Sequence, residues 1–228
     1  MYSRELFRDI LEWDIQSWKQ AVLFWDRFTA DIAGARVLDI GARNGGLSLY
    51  FALKGAHVIC SDLKGPNPQA AELHRKYNLS NRITYADIDA AAIELPDNGL
   101  DIVCFKSVLG AVGHHGNYAH QEQAIREFHR VLKPGGMLLF AENLTASWLH
   151  AFLRRAFIEW GRSWRYVSPA EIDQLLAVFR EIRLGYTGFF AAFGRAEWQR
   201  TLLHSLDVLI DPLIPRRSHY LVYGCARK

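Results

Sequence analysis

Cysteine is scarce in this chain of 228 residues. The three present, Cys60, Cys104 and Cys225, each sit in an apolar stretch and form no CxxC pair. That excludes a disulfide scaffold and a cysteine-rich metal site. The thiols read as small buried hydrophobes in a reducing, cytoplasmic setting. Long apolar runs are absent too: charges interrupt every one well short of a membrane span. The N-terminal stretch carries Glu5 and Asp9 and no small-residue cleavage site, so no signal peptide is expected. A dominant charge sign is missing; a formal net charge of +3 gives no electrostatic footprint for nucleic acid. The G-x-G-x-x-G fingerprint and the P-loop are absent, as is an Asn/Asp-Pro-Pro-aromatic motif of the kind that goes with base methylation. No internal repeat and no low-complexity linker occurs.

What remains is globular composition, 50% hydrophobic and 22% charged, in a chain long enough to bury a full core. Charge and tryptophan are unevenly placed. Residues 143–228 hold 12 Lys/Arg against seven Asp/Glu, whereas residues 1–142 are slightly acidic. All seven tryptophans lie toward the ends: Trp13, Trp18, Trp25, Trp148, Trp160, Trp164 and Trp198. A plain central core wrapped by an aromatic, basic accessory layer follows, although each tryptophan singly reads as an anchor of a helix to the core.

Periodicity sets the elements. Residues 3–31 repeat apolar positions at helical spacing (Leu6, Ile10, Trp13, Ser17, Ala21, Phe24) and are expected to form one helix. Short β-rich runs follow at 37–40, 58–61, 83–85, 102–105 and 137–141, separated by helical stretches near 47–54, 69–77 and 121–132. Such alternation means βαβ units and a parallel sheet with helices on both faces. Past residue 142 the rhythm changes. Helices are expected at 146–160 and 169–178, strands at 179–186 and 219–226, and an inserted amphipathic helix at 195–209. Residues 1–228 read as a single domain: an N-terminal helical cap (1–33), a ligand-binding half (34–142) and a substrate-side half (143–228) with an insertion at about 187–215.

The stretch Val37-Leu38-Asp39-Ile40-Gly41-Ala42-Arg43-Asn44-Gly45-Gly46 is a strand, a small-residue turn and a helix start. Ligands of open α/β sheets bind at such turns, outside the carboxyl ends of strands. Asp39 precedes the first glycine. Asp62 ends the second strand, where a carboxylate can accept from ribose hydroxyls. Asp87 follows the third. Acids at three consecutive strand ends suit a nucleoside carrying positive charge and repel a diphosphate. Taken singly, each acid also reads as a cap or turn residue. Tyr50 and Lys54 have the Tyr-x-x-x-Lys spacing of short-chain reductases, but they lie in the helix directly after the glycine turn, where the pair reads as one helical turn.

From about Arg36 to Glu142 the sequence resembles the class I S-adenosylmethionine-dependent methyltransferases. The resemblance rests on Asp39, Gly41, Ala42 and Gly45, on Asp62, on Asp87, and on the run His129-Arg130-Val131-Leu132-Lys133-Pro134-Gly135-Gly136. It implies a Rossmann-like, seven-stranded, mostly parallel sheet with S-adenosylmethionine as cofactor. The glycine loop would cradle the methionine moiety, Asp62 with Leu63 the ribose, and Asp87 with Ile88 the adenine. Lys106 and Ser107 would line the methyl end. Arg43 departs from the family, which has glycine there; it either reaches the methionine carboxylate or marks a site that binds cofactor poorly.

Methyl transfer from a sulfonium needs alignment, exclusion of water and, for an oxygen nucleophile, often a base. His114 and His115, in Gly113-His114-His115-Gly116 after the fourth strand, are the base candidates; solvent-facing loop histidines are the plainer alternative. Adding His120 gives no recognised zinc spacing. Arg154, Arg155, Arg162 and Arg165 either meet a phosphate or carboxylate or form a solvated helix face. Residues 202–214 are apolar enough to cover a substrate, to dimerise or, least well, to rest on a membrane. The closing residues 220–228 and the late insertion resemble bacterial polysaccharide-cluster methyltransferases. The expectation is therefore a cytoplasmic enzyme methylating a small molecule, a hydroxyl of a glycan precursor or other anionic metabolite, with no nucleic-acid partner. The alternative is a non-catalytic module that retains the fold; a nicotinamide-dependent oxidoreductase lacks its fingerprint.

Overall fold

The computed structural model describes residues 2–157 and 163–228. Trp160 and Arg162 fall outside the described residues, as do the side chains of Arg154, Arg155 and Phe157.

Seven strands form one sheet: β1 (Arg36–Ile40), β2 (His57–Asp62), β3 (Ile83–Asp87), β4 (Leu100–Lys106), β5 (Leu132–Asn143), β6 (Arg180–Thr187) and β7 (Leu221–Arg227). Their order is β3-β2-β1-β4-β5-β7-β6. The first five run parallel, and β7 pairs antiparallel with both β5 and β6. The chain steps outward from β1 to β3, then returns to β4 on the other side of β1. That reversal between β1 and β4 is the topological switch point, where two crossovers leave in opposite directions and open a crevice.

Alternation along the strands divides the core. Val37, Val58, Cys60, Ile102, Cys104 and Leu139 face one layer; Leu38, Ile40, Val103, Phe105, Leu138 and Phe140 face the other. The first layer is packed by helices α1 (Arg4–Leu11), α2 (Ile15–Trp25), α3 (Gly46–Leu53) and α4 (Pro68–Lys76). Helix α3 is buried nearly all round, from Gly46 to Ala52, because the sheet lies on one side and α1 on the other. A short helix, α5 (Leu109–Val112), follows β4, and α6 (Tyr118–Val131) packs the second layer. After β5 come α7 (Trp148–Phe157) and α8 (Pro169–Leu175). Helix α8 opens with a capping box, Ser168 and Glu171 exchanging side-chain and backbone bonds. Between β6 and β7 lies α9 (Glu197–Ile210).

The expected single helix over residues 3–31 is instead two. It breaks at Glu12-Trp13-Asp14, where Glu12 has φ 68° and Asp14 φ 46°. Positive φ on non-glycine residues costs roughly 1–3 kcal/mol each, so the surroundings must hold the break. Asp14 is buried. Tyr220 Oη donates to it at 2.5 Å and Ser17 Oγ at 2.9 Å, while the backbone N–H groups of Asp14 and Ile15 donate to Glu197. Tyr220 and Glu197 lie about 180–200 residues away, so helical spacing alone carried no sign of them. Strand β5 also begins earlier than expected, at Leu132, because the Pro-Gly-Gly turn pairs with β4 through a register shift between Leu100 and Ile102. Tyr50 and Lys54 both reach Asp26, Tyr50 by a 3.0 Å hydrogen bond and Lys54 by a 2.8 Å ion pair. They clamp α3 to the end of α2.

Candidate functional site at the switch point

The glycine turn and the tip of β4 meet at the switch point, and the α1–α2 break closes over them. The crevice is narrow, with a cavity volume of about 20 Å³, lined by Ile10, Glu12, Trp13, Asp39, the Gly41–Arg43 turn, Gly46, Leu47 and Lys106. Two glycines are dictated by contact. Gly45 has φ 78°, and a Cβ there would lie 2.6 Å from the His74 ring. A Cβ on Gly46 would lie 2.1 Å from the carbonyl oxygen of Ile10, so α1 seats its backbone directly on the start of α3. His74 is itself buried and bridges Gly45 O (2.9 Å) to the Tyr85 hydroxyl (2.8 Å), fixing the turn from behind. Burial pushes the His74 pKa below its ordinary value, which keeps the ring neutral.

Asp39 lies inside β1 rather than on the rim. Ser48 Oγ donates to it at 2.7 Å, and burial raises its pKa to about 7. Its work is to tie the turn to α3. Asp62 faces the rim. Its carboxylate accepts from the backbone N–H groups of Leu63 (2.8 Å) and Arg43 (3.1 Å), one on each oxygen. Each carboxylate oxygen has a second lone pair for a hydroxyl. Asp87 is exposed and opposite Asp62 in register. Ile88 donates its backbone N–H to the Asp62 carbonyl at 3.0 Å. Ala42 is buried and donates to Ser61 O at 2.8 Å. The turn, Asp62, Leu63, Asp87 and Ile88 thus form one continuous ledge across the tips of β1, β2 and β3.

The other wall is cationic and aromatic. Lys106, at the tip of β4, is partly buried. Its ammonium lies 3.2 Å from the Trp13 ring centroid and 4.9 Å from that of Trp18, and donates to Leu11 O at 3.0 Å. Loss of water around that ammonium lowers its pKa to about 7, with nearby Glu12 opposing the shift and Arg43 adding to it. Arg43 adopts φ 48° and places its guanidinium 4.9 Å from the Trp13 ring, with Glu12 3.7 Å away. Trp13 thus contacts both cations and the break residue Glu12 pairs with one of them. Ser107 accepts from Asn143 Nδ2 at 2.7 Å. Behind this wall Glu142 is fully buried and accepts from Val108 N (2.8 Å) and Leu109 N (2.7 Å), capping α5; burial raises its pKa to about 7. An acid inside the apolar strand sequence Phe-Ala-Glu-Asn was the available sign of this residue.

His114 and His115 do not line the crevice. Both are exposed in a one-turn 3₁₀ segment after α5, where His115 has φ 58° and His114 Nδ1 lies 3.1 Å from Ser163 O. Arg165 is held by Gln121, by Glu171 and by the face of Tyr118, so it is a structural clamp between α6 and α8. Among the described residues no group of three or more His, Cys, Asp or Glu is placed to hold a metal ion. No described helix is long and apolar enough to cross a membrane. All three cysteines are free and buried.

Sheet order, switch-point crevice and strand-tip carboxylates together define the α/β fold of the class I methyltransferases. Residues 38–140 match the family model described as methyltransferase domain. The chain is 32% identical over 127 residues to the ubiquinone/menaquinone biosynthesis C-methyltransferase UbiE of Shewanella baltica, covering 52% of this chain and 48% of that protein. It therefore spans about half the length of the curated relatives it matches. Among solved structures, the Haemonchus contortus phosphoethanolamine N-methyltransferase 2 in complex with S-adenosyl-L-methionine is 21% identical with a TM-score of 0.65, covering 92% of this chain and 52% of that one. The Burkholderia thailandensis 1,6-didemethyltoxoflavin-N1-methyltransferase, bound to its substrate and S-adenosylhomocysteine, is 17% identical with a TM-score of 0.60, covering 97% and 81%.

Proposed function

We propose that this protein transfers a methyl group from S-adenosylmethionine to a small-molecule acceptor, at a hydroxyl of a glycan precursor or other anionic metabolite. One observation carries the cofactor assignment: Asp62, fixed by two backbone N–H groups, stands with free lone pairs beside the glycine turn and opposite Asp87. That donor set fits the group. Asp62 would accept from the ribose hydroxyls, Asp87 and Ile88 would face the adenine, and the Gly41–Gly45 turn would hold the methionine moiety. The bound cofactor supplies a methyl carbon already activated by the sulfonium charge.

The chain's own task is to align the acceptor, exclude water and take up a proton. Trp13 covers the crevice against solvent. Lys106 would stand at the methyl end, and its lowered pKa gives it two fitting properties near neutral pH. A substantial neutral fraction reduces repulsion of the sulfonium, and its lone pair can accept a hydroxyl proton. Lys106 is better placed for that step than His114 or His115, which sit outside the crevice. The relatives named above act on a quinone precursor, a phospho-amine and a heterocycle, which supports a small acceptor without fixing its atom.

Calorimetric titration with S-adenosylhomocysteine, followed by a labelled-methyl assay against anionic hydroxyl compounds, tests the proposal. Asp62→Ala is expected to weaken cofactor binding by about 10- to 100-fold, the loss of hydrogen bonds to a charged group. An unchanged affinity overturns the ribose assignment. Cofactor binding without transfer to any acceptor favours the non-catalytic alternative, which the close seating of Trp13 and Arg43 over the turn also suits.

A further inference from the structure

Helix α9 is turned inside out. A surface helix ordinarily buries its apolar stripe and exposes its polar one. Here the polar residues Glu197, Arg200, Thr201, His204 and Asp207 face the protein, with Leu203 alone among the helix's leucines packed against the core. Outward stand Trp198 (68% exposed), Leu202 (63%), Leu206 (47%), Val208 (59%) and Leu209 (75%), and just past the helix Leu213 (82%).

The inner face fixes this orientation. Asp207 is fully buried and accepts from Phe190 N at 2.7 Å and Ala191 N at 3.0 Å. Glu197 accepts from Asp14 N at 2.7 Å and Ile15 N at 3.3 Å. Arg200 donates to Gly194 O at 3.0 Å and to Glu197 at 2.8 Å. Half a turn of rotation would hide the leucines but leave the backbone N–H groups of Asp14, Ile15, Phe190 and Ala191 without their acceptors. The apolar face is therefore held outward by design of the polar one.

We propose that the outer face of α9 is the seam of a two-fold homodimer, α9 packing antiparallel against α9 of a second copy. Spacing favours a helix as the occupant. Within α9, Leu202, Leu206 and Leu209 follow one another at steps of four and three, the spacing of the narrow seam that helix pairs use, and Leu213 extends the apolar run on the 3₁₀ turn that follows. Leu206 lies near the middle of the run from Trp198 to Leu213, so a two-fold axis beside it makes the stripe self-complementary. Area agrees. The six side chains are 47–82% exposed, together roughly several hundred Å² of apolar surface, the size at which a monomer's largest patch is often functional and a good part of the roughly 800 Å² per partner of a stable interface. Charge argues against a bilayer. From Thr201 to Ile214 there is no Lys or Arg, so the exposed face offers no cation to anionic headgroups. Glu197 links this seam to the crevice, because the same side chain caps the first turn of α2 beside Trp13.

Sedimentation velocity on the full chain at micromolar concentration tests this. Twice the chain mass is expected, with Leu206→Glu shifting the protein to monomer, weakening association by tenfold or more at unchanged circular dichroism. Leu206→Cys offers a second measurement independent of that variant's folding. The native thiols are buried, so mild copper–phenanthroline oxidation is expected to give a covalent dimer through the new cysteine alone. A monomeric wild type overturns the proposal, as does a dimer that Leu206→Glu leaves intact and Leu206→Cys does not cross-link. A monomer captured by phosphatidylglycerol vesicles through the same leucines also overturns it and assigns the face to a membrane surface.

Discussion

The ledge at the strand tips and the strap that covers it are built in opposite ways. In the ledge, neighbouring residues satisfy one another: Asp62 accepts from Leu63 beside it and from Arg43 on the next strand's turn, and Asp39 from Ser48 nine residues on. In the strap, the break at Glu12-Trp13-Asp14 is held by Tyr220 and Glu197, from the far end of the chain. A motif of short reach can be specified and kept independently of the rest. A strap anchored at long range depends on the finished fold. The difference teaches that the binding surface and its cover answer to separate sets of residues, so mutations should separate them.

The largest separation is expected where their backbones meet. Gly46→Ala places a methyl group against the Ile10 carbonyl, backbone on backbone, and is expected to destabilise the chain by about 1–3 kcal/mol. Thermal unfolding checks it; an unchanged midpoint would show that α1 does not sit there in solution. The next effect sharpens the strap's role. Trp13→Ala removes a cation–π contact that favours the Lys106 ammonium by about 1–2 kcal/mol, but it also admits water, and the water outweighs that loss because desolvation is the main cause of the lowered pKa. The Lys106 pKa should then climb from about 7 toward its ordinary value, as followed by nuclear magnetic resonance of the lysine Cε. No movement would show that Trp13 leaves that ammonium solvated.

The smallest effect concerns pH. Burial raises the Asp14 pKa to about 6, from 3.8 in an exposed carboxyl. The folded state therefore holds this proton more tightly than the unfolded chain does. The associated stability is fully present below about pH 4 and is lost as pH rises through 6. Asp39 and Glu142, both raised to about 7, act in the same direction. Asp14→Asn is expected to flatten this dependence between pH 5 and 7 by up to about 2 kcal/mol while leaving the limb due to the other two. Denaturant titrations at the two pH values compare the slopes; an identical slope would remove Asp14 from the account.

Much of the ledge was legible beforehand because its signals are local. A glycine turn after a β-rich run, an acid ending the next strand and a Pro-Gly-Gly turn each express a backbone requirement visible within ten residues. Lys106 and Asp62 were legible for the same reason: each terminates an apolar strand. The break in the first helix was not. Leu6, Ile10, Trp13, Ser17, Ala21 and Phe24 keep helical spacing straight through it, and neither Pro nor Gly marks residues 12–14. Helix α9 was legible only in part. Its amphipathic period was plain, but periodicity does not say which face turns inward.

Sequence alone determined the alternating α/β order, the parallel core strands and the acids at their ends, since these follow from strand length, side-chain alternation and turn chemistry along a few residues. Tertiary structure decided where the N-terminal helix breaks and which side of α9 is exposed. Each of those is settled by a buried hydrogen bond or ion pair between residues far apart in the chain, and such a partner exists only once the sheet has brought the two ends together.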